Sequence, residues 1–376
     1  YTGNPIELSL DLPSSDNPVR FEGRHLKYGA SVSLTQPLYT GGRIREGVKK
    51  AQAEGRFALN QAEMIKADIS YEADLRYWNT VARGEIVDIA CRFARSVEKL
   101  VKVVRERVEV QLVDRNDLLM AEVKLNDARY QLMQAQNGYE VARMSLNSFV
   151  GEDFESVLPV DTLVVPIYSV GTLPGYMEQA TGNRPELRMA QDKISIQESV
   201  RKLNQAQFLP QFYVGLDGSY SSPGYNFKAD LDPNYAVYAK VSIPLFEWGK
   251  RRNEKRAGDY KVAIARDNYN KVKDAVSLEV QSAYYNYVQA VERVTLTENS
   301  LAKACENEEM ALERYREGKI SIDGVLDAQM FHQTAQMNFV QSRLTAQISY
   351  SNFVRVLGVD SVKEYNTILI KAWIIC

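Results

Sequence analysis

Apolar residues recur at steps of three and four over much of the chain, and that spacing predicts long helices. Ile86, Ala90, Phe93, Val97, Leu100 and Val104 form one such series. Leu125, Ala128, Leu132, Ala135, Tyr139, Ala142, Leu146 and Phe149 form another, and Ala335, Phe339, Ala346, Phe353 and Val356 a third, with Ser342 and Ser349 at intervening positions. A strict three-and-four seam is narrower than the apolar face of an ordinary globular helix and predicts coiled-coil packing. A helix from about Arg43 to Gln111 would be about 100 Å long at the usual rise per residue, and its counterpart runs from about Lys250 to Glu317. Each should break at a turn, Val113–Asp117 in one case and Gly318–Gly324 in the other. A shorter helix then returns to Gly151 or Gly358, where glycine provides the stop.

Just before each long helix the period changes to two. Ala30, Val32 and Leu34 alternate with Ser31, Ser33 and Thr35. Val237, Ala239, Val241 and Ile243 alternate with Ala236, Tyr238, Lys240 and Ser242. Two earlier segments do the same: Ile6, Leu8, Leu10 and Leu12 against Glu7, Ser9 and Asp11, and Phe212, Val214 and Leu216 against Tyr213, Gly215 and Asp217. Loops rich in Pro, Gly, Asn and Asp separate the members of each pair, at 13–27 and 222–234. About ten residues is the length of a tilted membrane-spanning strand, and the Ser, Thr, Gly, Asp and Lys of the second face suit a wet lumen. Four strands cannot close a barrel, for which about eight is the practical minimum. A barrel made by this chain must be shared between protomers. The alternative from the same pattern is a sheet packed on a helical domain.

The two halves repeat each other at an offset of 207 residues. Pro37-Leu38-Tyr39 falls on Pro244-Leu245-Phe246, Gly42 on Gly249, Glu106-Arg107 on Glu313-Arg314, Leu119 on Leu326 and Gly151 on Gly358. A constant offset over that distance points to a geometric constraint on length. The prolines agree: all 12 lie at or before Pro244, and none between Pro37 and Pro159. Proline costs about 3 kcal/mol in a helix interior, so the gaps leave room for the long helices.

The 46 basic and 48 acidic residues leave a net charge of −2 and argue against a general nucleic-acid binder. No apolar run of about 18 residues exists for a transmembrane helix, which leaves a β-barrel open. Cys91, Cys305 and Cys376 make neither a disulfide scaffold nor a zinc motif, and Cys91 has Glu298, not Cys305, as its mate in the repeat. His25 and His332 offer little acid–base or metal chemistry, and His332 is expected to pack on the helix seam. No nucleophile–base set appears, so no enzyme, cofactor or metal site is expected.

Four motifs in order resemble the TolC-type outer-membrane efflux proteins. Thr35-Gln36-Pro37-Leu38-Tyr39 with Gly42-Arg43 is similar to the signature leading into that family's long helix, and Ile243-Pro244-Leu245-Phe246 with Gly249 to its second copy. Asn183-Arg184-Pro185-Glu186-Leu187 resembles the helix start before the third strand. Glu313-Arg314-Tyr315, Gly318 and Val325-Leu326-Asp327-Ala328 resemble the second hairpin tip. The resemblance covers about residues 6–358. It implies a mainly helical, TolC-like fold with membrane β-structure. Three protomers would each give four strands to one twelve-stranded outer-membrane barrel, continued by a long coiled-coil α-barrel in the periplasm of a Gram-negative bacterium. The partition it implies is strands one and two at 1–40, the first hairpin at 41–151 and a belt or linker segment at 152–180. A helix follows at 181–209, then strands three and four at 210–246, the second hairpin at 247–358 and a tail at 359–376. The second copy has a helix at about 174–208 before its first strand that the first copy lacks, so further residues upstream of Tyr1 are expected.

The resemblance also implies partners and sites. The partners are two further copies of the chain, outer-membrane lipid, a periplasmic adaptor (membrane fusion) protein and an inner-membrane pump. Tyr315 matches a tyrosine that ties the second hairpin shut, and Asp117 its acidic partner on the first. Asp327 matches one acidic position of the constricting ring. The other is Gly324 here, for which Asp323 could substitute, and a basic tether position is Ile320. Helix capping is the plainer role for Asp114, Asn116, Asp117 and Asp323. The adaptor would dock on Val110, Gln111, Leu112 and Val113 together with Gly318, Lys319, Ile320 and Ser321. Pro37, Gly42, Pro244 and Gly249 would mark the passage from barrel to helix. Tyr28, Tyr39, Tyr235, Phe246 and Trp248 would form an aromatic girdle. The expected function is the passive exit duct of a tripartite efflux pump, gated at the helical tips. A duct for type I protein secretion and a soluble periplasmic scaffold or adaptor are the alternatives.

Overall fold

A computed structural model of the chain describes residues 7–10, 19–22, 28–164, 166, 171–222 and 230–359. Five strands and six helices follow in the order β1 (Glu7–Leu10), β2 (Val19–Glu22), β3 (Tyr28–Thr40), α1 (Arg43–Glu109), α2 (Arg115–Val150), α3 (Leu173–Asn183), α4 (Pro185–Ala206), β4 (Gln211–Ser222), β5 (Asp232–Ser242), α5 (Lys250–Arg316) and α6 (Ile322–Leu357). The chain divides into two compact units. One comprises residues 1–56 and 191–267, the other 57–190 and 268–376.

The repeat is visible in the helix lengths: α1 and α5 each have 67 residues, and α2 and α6 each have 36. The four helix ends are equivalent too. Gln111 falls on Gly318 and Gly151 on Gly358 at the same offset of 207, and all four have positive φ. After α1, Gln111 N–H donates to the Val108 carbonyl at 3.0 Å and Leu112 N–H to Arg107 at 2.8 Å. After α5, Gly318 N–H donates to Tyr315 at 3.0 Å and Lys319 N–H to Arg314 at 2.8 Å. Both are Schellman closures.

In the first unit β3, β4 and β5 form an antiparallel sheet in that order. β1 pairs with β2 in a separate two-stranded sheet, Glu7 opposite Glu22. That corrects one expectation. The segment 13–27 is not all loop, because Val19-Arg20-Phe21-Glu22 alternates and pairs locally. Of the first expected strand the described residues are Glu7–Leu10, and among the described residues they do not join the longer sheet. Ile6, Leu12, His25, Cys376 and the tail beyond Val359 lie outside the described residues.

Pro37 is not the end of its strand. β3 continues to Thr40 across a bulge between Pro37 and Tyr39. A bulge on an edge strand is where a residue without an N–H can sit. In the second copy β5 stops at Ser242 and Pro244 lies beyond it.

The second unit holds the helical cores. Phe93, Val97, Leu100 and Val104 of α1 are buried with Ala121, Leu125 and Ala128 of α2, Tyr315 of α5, and Ile322 and Val325 of α6. The sequence seam of α1 is thus the buried one. α6 departs from a narrow seam: Ser342, Leu344, Ala346, Gln347, Tyr350, Ser351, Phe353, Val354, Val356 and Leu357 are all buried, because it has neighbours on several sides. Thr297 of α5 bonds Ser342 at 2.7 Å, Ser96 of α1 accepts from Gln329 at 3.0 Å, and Gln131 of α2 accepts from Gln333 at 2.8 Å.

The helix expected at about 174–208 is two helices. Arg184 has φ −62° and ψ 121° between them, as a residue before proline prefers. The break leaves its side chain 5% exposed, donating to the Val356 carbonyl at 3.1 Å and paired with Glu279. Between α2 and α3 the segment 152–164 is strapped down by side chains. Asn147 donates to the carbonyls of Asp153, Phe154 and Ser156, and Tyr77 bonds Asp161 at 2.9 Å. The Glu85–Arg343 ion pair holds both the N–H and the carbonyl of Val164.

Candidate functional site

The longer sheet has two unlike faces. Cross-strand register puts Val32 beside Gly218 and Tyr235, Leu34 beside Leu216 and Val237, and Tyr39 beside Phe212 and Val241. Residues directly opposite share a face, so the apolar series predicted on each strand fall together. This face is uncovered: Val32 is 77% exposed and Val237 79%. The other face carries Ser31, Ser33 and Thr35 beside Ser219, Asp217 and Gly215, then Asn234, Ala236 and Tyr238. Ser33 donates to Asp217, and Thr35 bonds the Tyr238 hydroxyl at 3.1 Å. Tyr238 lies across Gly215, where a Cβ would fall 2.2 Å from its ring. A sheet apolar on one side and hydroxyl-rich on the other, with neither side packed, fits lipid on one side and water on the other.

The passage from strand to helix repeats as well. Gly41 and Gly42 precede α1, Trp248 and Gly249 precede α5, and all four have positive φ. Gly41 must be glycine, because a Cβ would meet the Ala206 carbonyl at 2.7 Å. Leu245, Phe246 and Trp248 are 91%, 72% and 89% exposed. Tyr28, Tyr39 and Tyr235 are exposed too.

The hairpin tips bring Tyr315 and Asp117 into one region but do not bond them. The Tyr315 hydroxyl is buried without a hydrogen-bond partner among the described residues. Burial pushes the phenol's pKa up, the Arg107 guanidinium pulls it back in part, and the charge of Asp117 pushes it up again. A polar tie between the two hairpins at the tips comes from Arg107, for which the sequence predicts no role. It donates to the carbonyl oxygens of Tyr315 at 2.9 Å and Arg316 at 2.6 Å, and its guanidinium lies 4.8 Å over the Tyr315 ring. Asp323 and Asp327, four residues apart on α6, are both exposed.

The capping roles are corrected in part. Asp114 does stand at the start of α2, but its side chain makes no cap hydrogen bond. Asn116 contacts Met120. Asp117 and Asp323 lie in the first turns of α2 and α6 rather than before them, where a carboxylate still favours the helix dipole. Val110 is 64% and Leu112 71% exposed. Val113, Gly318, Lys319, Ile320 and Ser321 complete the turn segments, with Ile320 half-buried near Gly324.

His332 is half-buried between Glu308 and Gln336. Cys91 and Cys305 are free. Among the described residues no group of His, Cys, Asp or Glu has a metal-binding arrangement, and no helix is long and apolar enough to cross a membrane.

Comparison with known proteins gives consistent findings. The model of the family described as outer membrane efflux protein matches residues 176–359. The probable efflux pump outer membrane protein SepC of Pseudomonas putida is 21% identical over 360 residues, 92% of this chain and 72% of its own. The alkaline protease secretion protein AprF of Pseudomonas aeruginosa is 24% identical over 234 residues, 59% of this chain and 47% of its own. Among solved structures, the outer-membrane channel OprN is similar with a TM-score of 0.77 at 18% identity, covering 95% of this chain and 80% of that one. VceC of Vibrio cholerae gives 0.76 at 17% identity, covering 95% and 85%. The fold is that of TolC-like channels.

Proposed function

We propose that this chain, whose residues 176–359 match the outer membrane efflux protein family, belongs to the TolC-type channels and works as the exit duct of a three-component export assembly. The observation that carries the reading is the two-faced sheet, apolar and uncovered on one side and hydroxyl-rich on the other. Among the described residues β3 and β5 are its edges and have backbone groups left to pair. Neighbouring copies of the chain satisfy those edges, so that three protomers close one barrel in the outer membrane with the hairpins in the periplasm. The duct does no bond chemistry. A soluble scaffold would account for the helices but not for this sheet.

The gate lies at the tips. Arg107 and Tyr315 hold α1 to α5, Asp117 adds negative charge beside them, and Asp323 and Asp327 supply acidic groups that three copies would arrange as rings. The exposed Val110 and Leu112, with Gln111, Val113 and Gly318–Ser321, offer an adaptor protein an apolar docking edge. The inner-membrane pump joins through that adaptor.

Fractionation and planar-bilayer recording test the reading. Heat-labile trimers in the outer-membrane fraction with channel conductance are expected, and a soluble monomer would overturn it. Protein secretion is the second reading, favoured by the similarity to AprF. The adaptor that co-purifies with the chain decides between drug export and protein secretion.

A further inference from the structure

The start of α5 carries charge that the fold does not use. Arg43, Arg45 and Lys49 of α1 occupy the same repeat positions as Lys250, Arg252 and Arg256 of α5. In α1 a buried carboxylate offsets part of that charge: Glu46 accepts from Lys49 at 3.2 Å and Arg45 at 3.4 Å, and Lys202 lies 3.7 Å away. Burial raises its pKa, and these cations outweigh the burial and leave it lowered. In α5 the position of Glu46 is Asn253. Lys250, Arg251, Arg252, Lys255 and Arg256 are all exposed, and none has an ion-pair partner among the described residues. Only two carboxylates, Glu247 and Glu254, lie in the same stretch, and the first turn of α5 has no acidic residue.

A helix N-terminus carries partial positive charge, so three cations in its first turn work against the helix. The repeat makes the point sharper, because the sister helix has a buried carboxylate among its cations at the same place and α5 has none. The cations directly follow Leu245, Phe246 and Trp248, whose rings meet edge-on at 4.8 Å for the last two. Exposed aromatics followed by lysines and arginines suit the border between hydrocarbon and water, where long cationic side chains reach the headgroups. An uncovered apolar surface thus continues into unpaired positive charge.

We propose that Trp248–Arg256 is a docking surface for the headgroups of anionic phospholipids at the periplasmic border of the membrane. The inference rests on the outer-membrane reading above. It is tested on the full chain reconstituted with brominated phosphatidylglycerol or brominated phosphatidylcholine, each of which quenches tryptophan emission when it lies against the protein. Polybasic segments gain affinity with each cation near an anionic surface, so a preference for phosphatidylglycerol of about threefold or more is expected at low salt. It should fall to near parity in half-molar salt. The same loss is expected when Lys250, Arg251, Arg252, Lys255 and Arg256 are all changed to Gln. A partial loss is expected for Arg251→Gln with Arg252→Gln, which keeps the test open if the larger variant fails to fold.

No preference in the natural chain, or an unchanged preference in the variants, overturns the proposal. So does a variant that loses export with its lipid preference intact, which assigns the charge to an acidic protein partner. Co-flotation with phosphatidylcholine vesicles separates the two levels. A chain that floats without lipid preference loses this surface alone, whereas one that fails to float loses the membrane reading as well.

Discussion

Gln111 holds a left-handed backbone, φ 58°, where its repeat mate Gly318 has φ 75°. Both residues close a long helix by the same pair of hydrogen bonds, yet only Gly318 can do so without crowding a Cβ. Gln111→Gly should therefore relieve strain on the order of 1 kcal/mol and raise the thermal midpoint, read by circular dichroism. A lower midpoint would mean that the Gln111 side chain contributes more than its backbone costs. Asp74 gives a second prediction. Burial raises its carboxyl above the ordinary value, with the Ser351 hydroxyl pulling the other way. Below the unfolded pKa of about 3.9 both states hold the proton. Above it the folded state keeps the proton longer, so stability is lost as pH rises through the folded pKa. Asp74→Asn should be more stable than the natural chain at pH 7, and the difference should close towards pH 4 in midpoints measured across that range.

The sheet carries its prediction at the level of the strand. Leu34 and Thr35 are neighbours on β3 but face opposite ways. An arginine facing lipid near the midplane costs about 2–4 kcal/mol, whereas one in the lumen is tolerated. Leu34→Arg should block or weaken outer-membrane assembly, and Thr35→Arg should assemble normally and alter conductance. Equal behaviour of the two would undo the assignment of faces. For the helices, three-and-four spacing marked the buried side of α1 correctly because that helix buries one stripe. It under-read α6, which is enclosed more widely, and it ran α3 into α4. The break at Arg184 was legible in principle, since Pro185 follows it, but the burial of Arg184 against Glu279 and Val356 was not.

At the scale of the whole molecule, two hairpins of equal length share a buried core near their tips, and Arg107 adds a direct polar tie there. Arg107→Ala removes both of its carbonyl contacts and its place over the Tyr315 ring, and Asp117→Ala removes the charge beside that tyrosine. Each should raise single-channel conductance in a planar bilayer, Arg107→Ala more than Asp117→Ala because it breaks direct bonds. Closed-state conductance unchanged in both would remove the tips from the gate. The sequence directed attention to Tyr315 and Asp117 by resemblance and passed over Arg107, although Arg107 and its mate Arg314 were visible in the repeat. An arginine on an exposed helix face has no local signature that separates a tether from a solvated charge.

What the sequence determined by itself is what depends on local spacing. The period of three and four set the helices, the period of two sorted the strand residues onto two faces, and the constant offset fixed equal hairpins. These follow from backbone geometry over a few residues, so they survive without knowledge of any partner. Tertiary structure alone decided what depends on residues far apart in the chain. It paired β1 with β2, apart from the longer sheet among the described residues, carried β3 past Pro37 on a bulge, and tied Val164 to Glu85 and Arg343. Among the described residues it also left the cations of α5 bare, where Glu46 pairs with two of those of α1. The repeat made the two helix starts look alike, and one buried carboxylate is what separates them.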